Sequence, residues 1–292
     1  MSSVAEYANL VISGFVQGLV IALAALAISL SFAVARFPNA ATGDIMTVGA
    51  YVAVIVQAAA AGSLLAGTLA AVAVTVALSI LCYVLVFKKL ADRPVVASLI
   101  ASIGIAFLLR STLTLFLGFD QQVFRVPIAR ALNFSGIRIL PVDLWLTGVA
   151  AVVLAGVFTL LFLTPLGRRM RAVAADMQLA RASGIRAGRV MITLWAIVGL
   201  LSAVAGIIVG IKTVVTPELG WDLLLPAFAA AVLGGIGSPV GAVVAGIGLG
   251  IIQEVSTPLV GFTYKIALAF VALIAILIVR PQGLFGQAER VR

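Results

Sequence analysis

The chain has no histidine, one cysteine, and only ten acidic and 19 basic side chains among its 292 residues. Each shortage excludes something. Without histidine there is no imidazole for acid–base catalysis or metal ligation. Cys82 cannot form a disulfide within the chain, and its apolar surroundings suit a small packing residue. No GxxxxGK[ST] loop occurs, and Lys88, Lys89, Lys212 and Lys265 lack that context, so ATP is not bound by that device. GxSxG and metal-ligand spacings are missing too. No enzymatic activity, cofactor or metal is expected.

Apolar residues dominate: 63% of the chain, with a mean hydropathy of +1.27. Charged residues make up 10%, against about 25% in soluble proteins. Apolar runs lie near 9–35, 45–61, 63–87, 95–118, 142–164, 190–214, 226–255 and 263–280. Several exceed the ~20 residues that cross a bilayer. The fold class expected is an all-α integral membrane protein of one domain, 1–292, with about eight hydrophobic segments. The net charge of +9 does not point to nucleic acid, because the basic residues gather in short loops between apolar runs.

Those loops set an expected topology. "KKLADRP" (88–94), the stretch 167–190 and the tail from Arg280, with Arg290 and Arg292 against Glu289, are basic and placed in the cytoplasm. The loop 119–141, with Arg125, Arg130 and Arg138, and "TPELGWD" (216–222) are placed outside. The first apolar run follows Glu6 with no preceding lysine or arginine, which predicts a retained helix with its N-terminus outside. This scheme closes only if 226–255 does not cross as one helix. Its centre, "GGIGSPVG" (234–241), has four glycines and a proline, which weaken a helix. Two half-helices that dip in and return to one side satisfy the charge pattern. A single kinked helix is the alternative.

A second break is "RFPNAATGD" (36–44). It reads either as a tight cytoplasmic turn or as a broken helix whose polar groups face a pathway. Translocation-path candidates are Asn39, Thr42, Gly43, Asp44 and Arg110, with Gly234, Gly235, Gly237 and Ser238 of the second break. Lys212, Glu254 and Lys265 sit near run ends and are expected to snorkel. Gly206/Gly210 and Gly246/Gly250 form GxxxG pairs suited to helix packing.

The stretch 165–189 holds Arg168, Arg169, Arg171, Asp176, Arg181, Arg186 and Arg189. Thr164–Pro165 is a good helix start and Gly184 a natural C-terminal cap. Met170, Val173, Ala174 and Met177 recur at helical spacing between them. A capped cytoplasmic helix with a basic remainder suits docking to a soluble partner, while a plain basic loop would satisfy the charge rule equally well.

"RRMRAVAADMQLARASGIRAGRV" resembles the cytoplasmic coupling loop of the branched-chain amino acid ABC transporter permeases of the LivH type. "GLVIALAALAISLSFAVARFPNAATGDIMTVGAY" (18–51), "DRPVVASLIASIGIAFLL" (92–109), "PAFAAAVLGGIGSPVGAVVAGIGLGIIQE" (226–254) and "RPQGLFG" (280–286) resemble further blocks of that family, in order. The resemblance implies a second LivH- or LivM-like permease, two ABC ATPase subunits, a periplasmic binding protein and residence in a bacterial inner membrane. It implies ATPase coupling through Arg168, Arg169, Arg171, Asp176, Arg181, Gly184 and Ile185. Thr42 and Asp44 stand where the family has His and Glu, Ala40 where it has Phe, and Arg110 where it more often has an uncharged polar residue. A cation beside the path would favour an anionic substrate, so a small amino acid or organic carboxylate joins the branched-chain amino acids as a candidate. The rival is a proton-coupled transporter working alone, with Asp44 or Glu254 as carrier carboxylate.

Overall fold

A computed structural model describes residues 2–126, 132–134, 137–261, 264–280 and 282–285. Glu289, Arg290, Arg292 and Arg130 lie outside the described residues. In order, the elements are α1 (Ser2–Ala35), α2 (Ala41–Ala59) and α3 (Leu64–Cys82), which continues through a π-helical turn (Tyr83–Phe87) into α4 (Lys88–Leu90). Then come α5 (Val95–Leu117), a hairpin of β1 (Leu132–Phe134) and β2 (Ile137–Ile139), α6 (Pro141–Leu163), α7 (Pro165–Ala175), α8 (Met177–Ala182) and α9 (Ala187–Lys212). The last elements are α10 (Leu219–Gly234), α11 (Pro239–Val255), α12 (Thr257–Val260) and α13 (Lys265–Val279).

Among the described residues, six helices are long and apolar enough to cross a bilayer, and α10, α11 and α13 are shorter apolar ones. The protein is thus an all-α membrane protein, as its composition predicts. The small antiparallel hairpin in the 119–141 loop has no counterpart in that expectation.

Burial separates the helices into two groups. The spanning parts of α1, α2 and α9 are 83%, 72% and 78% buried, whereas the α5 span is 11% buried, so the first three form the core and α5 lies at the edge. Residues Leu19 to Leu30 of α1 are all within the core. The partner along α1 is α11, running antiparallel. A Cβ at Gly14 would meet Ile251 Cα at 2.8 Å, one at Gly18 the Ile247 carbonyl oxygen at 2.6 Å, and one at Gly246 the Ala22 nitrogen at 2.7 Å. Gly250 abuts the backbone of Gly18. Small residues allow this approach, where dispersion between backbones replaces side-chain packing. Gly206 likewise abuts the Met46 carbonyl of α2, so both GxxxG pairs lie at helix contacts.

The 226–255 segment is two antiparallel helices. α10 ends at Gly234; Gly235 and Gly237 have φ of 101° and 83°, which glycine adopts without a Cβ clash. Ser238 then caps α11, accepting from Gly241 N at 3.2 Å, with Pro239 in the first turn. α10 starts at Leu219, seven residues before the predicted run, because the polar "TPELGWD" hides a helix start. The turn does not stop midway along the core: Gly237 lies beside Ala33, near the end of α1. Chain after α13 returns there too, with Leu284 N donating to Leu233 O and Phe285 N to Gly234 O. These bonds satisfy carbonyls at the end of α10.

The two ends of the bundle differ. At one, Arg36 reaches α7, and Phe37 packs against Phe87 and Trp195 at centroid distances of 4.9 and 6.2 Å. This basic end carries Lys88, Lys89 and the α7–α8 arginines. At the other, Gln57 Nε2 donates to Arg125 O at 2.8 Å, and Gln122 and Val215 exchange backbone bonds.

Three lysine and glutamate side chains expected to snorkel are paired instead. Lys212 Nζ lies 3.1 Å from Asp143, joining α9 to α6, and Lys265 is bonded to Glu254, joining α13 to α11. Pairing lowers the cost of a charge in hydrocarbon.

Candidate functional site

α2 begins at a buried polar corner. Pro38 and Asn39 turn the chain after α1, and Asn39 Oδ1 accepts from Ala41 N at 3.1 Å, tying off the helix start. Ala40 N donates to Ser102 Oγ of α5 at 3.2 Å. Asn39, Thr42, Asp44 and Thr47 are all fully buried. Asn39 Nδ2 and Thr42 Oγ1 have no hydrogen-bond partner among the described residues. Buried polar atoms without a partner are uncommon and cost stability.

Asp44 is matched by Arg110. The guanidinium donates from Nε to Oδ1 at 3.0 Å and from Nη2 to Oδ2 at 3.3 Å, a two-bond fork. Asp44 is fully buried and Arg110 is 18% exposed. The Arg110 carbon Cζ lies 4.9 Å from the Trp221 ring centre and 5.7 Å from that of Phe107. Trp221, expected in an exterior loop, is therefore in the first turn of α10 and covers this pair. Gly220 brings it there: Gly43 and Gly220 meet backbone to backbone, and Gly220 N donates to Thr47 Oγ1 at 2.9 Å. The two charges therefore neutralise each other, and Arg110 already has a carboxylate within the chain.

The second set of path candidates is elsewhere. Gly234 is fourteen residues along α10 from Gly220, about 21 Å at 1.5 Å per residue. Gly234, Gly235, Gly237 and Ser238 form the turn beside Ala33, and the structure does not bring them to Asp44. Sequence reasoning missed Ser102 and Thr47, which carry no local signal, and it placed Arg36 only within the 36–44 break and Trp221 only in an exterior stretch.

The basic end is built on α7 and α8. Thr164 caps α7 as predicted, accepting from Gly167 N. Met170 and Val173 are buried against the bundle, so the apolar stripe faces the protein itself. The single helix expected from 165 to Gly184 is broken at Asp176 (φ −152°, ψ 113°), whose Oδ1 accepts from Gln178 N and Leu179 N at 2.8 and 2.9 Å and starts α8. An aspartate inside a helix can outcompete the ladder in this way. Gly184 caps α8 with φ 79°. Arg168, Arg169, Arg181, Gly184 and Leu179 are exposed, and Ile185 is half-buried. Arg171 is not free: Nη1 donates to Leu161 O at 2.6 Å, bracing the α6–α7 corner where Gly167 abuts Leu161. Arg171→Ala is expected to cost roughly 1.5 kcal/mol, the lower end for a hydrogen bond from a charged group, read as a fall of a few degrees in melting temperature in detergent.

Residues 10–279 match the family model described as branched-chain amino acid transport system / permease component. The chain is 28% identical to the high-affinity branched-chain amino acid transport system permease protein BraD of Pseudomonas aeruginosa, over 99% of each chain. It is 30% identical to the permease protein LivH of Escherichia coli, over 95% of this chain and 94% of LivH. A probable LivH of Methanocaldococcus jannaschii is 26% identical over 90% and 88%. With the bundle, the two breaks and the basic α7–α8 corner in place along the full match, the chain belongs to the family of branched-chain amino acid transport system permeases.

Proposed function

We propose that this chain is a membrane subunit of an ATP-driven, binding-protein-dependent importer that passes branched-chain amino acids, or a related small amino acid or organic carboxylate, by alternating access. The observation that carries this reading is the family match over residues 10–279 combined with a folded, basic α7–α8 corner that has exposed arginines and an exposed Leu179. ATP hydrolysis then belongs to two ABC ATPase subunits docked at the basic end, which faces the cytoplasm. A second LivH- or LivM-like permease lies alongside, and a periplasmic binding protein delivers substrate at the opposite end. The site is the inner membrane of a bacterium, with no nucleic acid involved.

Clustering of Arg36, Lys88, Lys89 and the α7–α8 arginines at one end supports this orientation. With α10 and α11 returning to the side they entered from, α13 leads its tail to that same basic end. The path lies along α2, α5 and α10, where Asn39 and Thr42 have unpartnered polar atoms. Pairing of Arg110 with Asp44 favours a zwitterion or neutral substrate over a simple anion, because the guanidinium fork is occupied. The rival carrier carboxylates Asp44 and Glu254 are both held by cations, which does not suit a proton carrier working alone.

Two measurements test this. Reconstituted with its ATPase, permease and binding-protein partners, the chain should import leucine only with ATP; uptake by the chain alone under a pH gradient would overturn the importer reading. Replacing Arg168 and Arg169 by glutamate should reduce ATPase co-purification at least tenfold, since a like-charge contact at an interface costs several kcal/mol.

A further inference from the structure

Arg36 joins the end of α1 to the last turn of α7. It is the residue after α1, and its backbone is left-handed, with φ 61°. L side chains disfavour that conformation, which is held only where surrounding contacts fix it. The contacts are specific. Arg36 Nη2 donates to Ala174 O at 3.0 Å and to Ala175 O at 2.7 Å. These carbonyls are in the last turn of α7, where the ladder ends at the extended Asp176. They lack helical partners, and the negative end of the α7 dipole favours a cation there. The side chain of Arg36 therefore caps α7 from a distance of 138 residues in sequence.

The buried corner comes directly after Arg36 in the chain. Phe37 packs against the stacked Phe87 and Trp195 rings, Asn39 ties off the start of α2, and Ala40 is bonded to Ser102 of α5. Asp44 sits in the first turn of α2. A shift of the α7 C-terminus thus pulls on a short, strained segment whose next residues hold the unpartnered Asn39 and Thr42 atoms. The Thr164–Gly167 corner and Arg171 hold α7 to α6, and Met170 and Val173 pack it on the bundle.

We infer that Arg36 is a positioning residue that links α7 to the 37–44 segment, so that movement imposed on the α7–α8 corner reaches the path through this side chain. This role rests on the importer reading and names the contact by which the ATPase strokes act on the permease.

The test uses the full complex in proteoliposomes, with leucine as the probe and uptake and ATP hydrolysis measured together. Arg36→Ala should assemble with the ATPases and keep hydrolysing ATP, while the ATP consumed per leucine imported rises at least tenfold. Arg36→Lys, which keeps one cationic donor near both carbonyls, should give an intermediate ratio. Arg36→Gly relieves the left-handed backbone but removes the donor, so it should behave as alanine does. A ratio within twofold of wild type in Arg36→Ala, or wild-type coupling restored in Arg36→Gly, would overturn the inference and leave the importer reading intact. Should Arg36→Ala not assemble, Arg36→Lys decides: unchanged coupling in the assembled complex overturns the link. No ATP-driven uptake in the wild-type complex would remove the importer reading and this inference with it.

Discussion

Asp44→Ala is expected to destabilise the folded protein by about 3 kcal/mol, and adding Arg110→Leu to return most of that loss. The single change leaves a guanidinium beside a vacated carboxylate site in an apolar bundle. The cost is at the lower end of the range for breaking a buried pair, because Arg110 is 18% exposed and keeps some access to polar surroundings. The double change removes both charges, and an apolar pair of similar volume is often neutral or stabilising. Thermal unfolding of purified protein in detergent, followed by size-exclusion peak height, reads both. Equal melting temperatures for Asp44→Ala and the double variant would show that the pair is not coupled. If the double variant folds and still imports leucine at the wild-type rate, the pair serves structure alone.

Gly250→Leu should be as damaging, by a different route. Gly250 abuts the Gly18 backbone, and a Cβ at either position meets main-chain atoms, which cannot rotate away. Leucine there must separate α1 from α11 or shift one along the other, which costs roughly 3 kcal/mol as overpacking at the upper end of its range. Gly248 provides a matched control on the same helix: nothing lies within 4 Å of a Cβ there. Gly248→Leu should leave yield and melting temperature unchanged, while Gly250→Leu should give little monodisperse protein. Similar losses for both would mean that helix propensity or insertion, rather than the α1–α11 contact, sets the effect.

Features carried by local chemistry were legible in the sequence. Hydropathy was enough for the spanning helices. Thr164–Pro165 and Gly184 mark helix ends through their own backbone preferences, and they do so in the fold. What escaped depends on distance. Asp44 and Arg110 are 66 residues apart, and each looks like an isolated charge until α2 and α5 are packed together. Lys212–Asp143 and Lys265–Glu254 escaped for the same reason, so a local rule predicted snorkelling where a partner was present. Asp176 misled differently. Its neighbours favour helix, and only the geometry reveals that its carboxylate caps α8 instead of continuing α7. Trp221 was assigned to a loop because proline, glutamate and aspartate surround it, although those residues suit the first turn of a helix as well.

The α1–α11 seam also constrains how the protein is made. Among the six described spanning helices α1 is the most buried, yet the surface that covers its glycines belongs to a helix translated much later, with most of the chain between Gly18 and Gly250. During synthesis α1 therefore waits in the membrane with its small-residue face uncovered, available to any neighbour that presents a matching stripe. Contacts of such long sequence separation form late. Quality-control proteases and membrane chaperones would meet this protein chiefly in that interval, and variants that delay α11 should be degraded even when the final fold tolerates them.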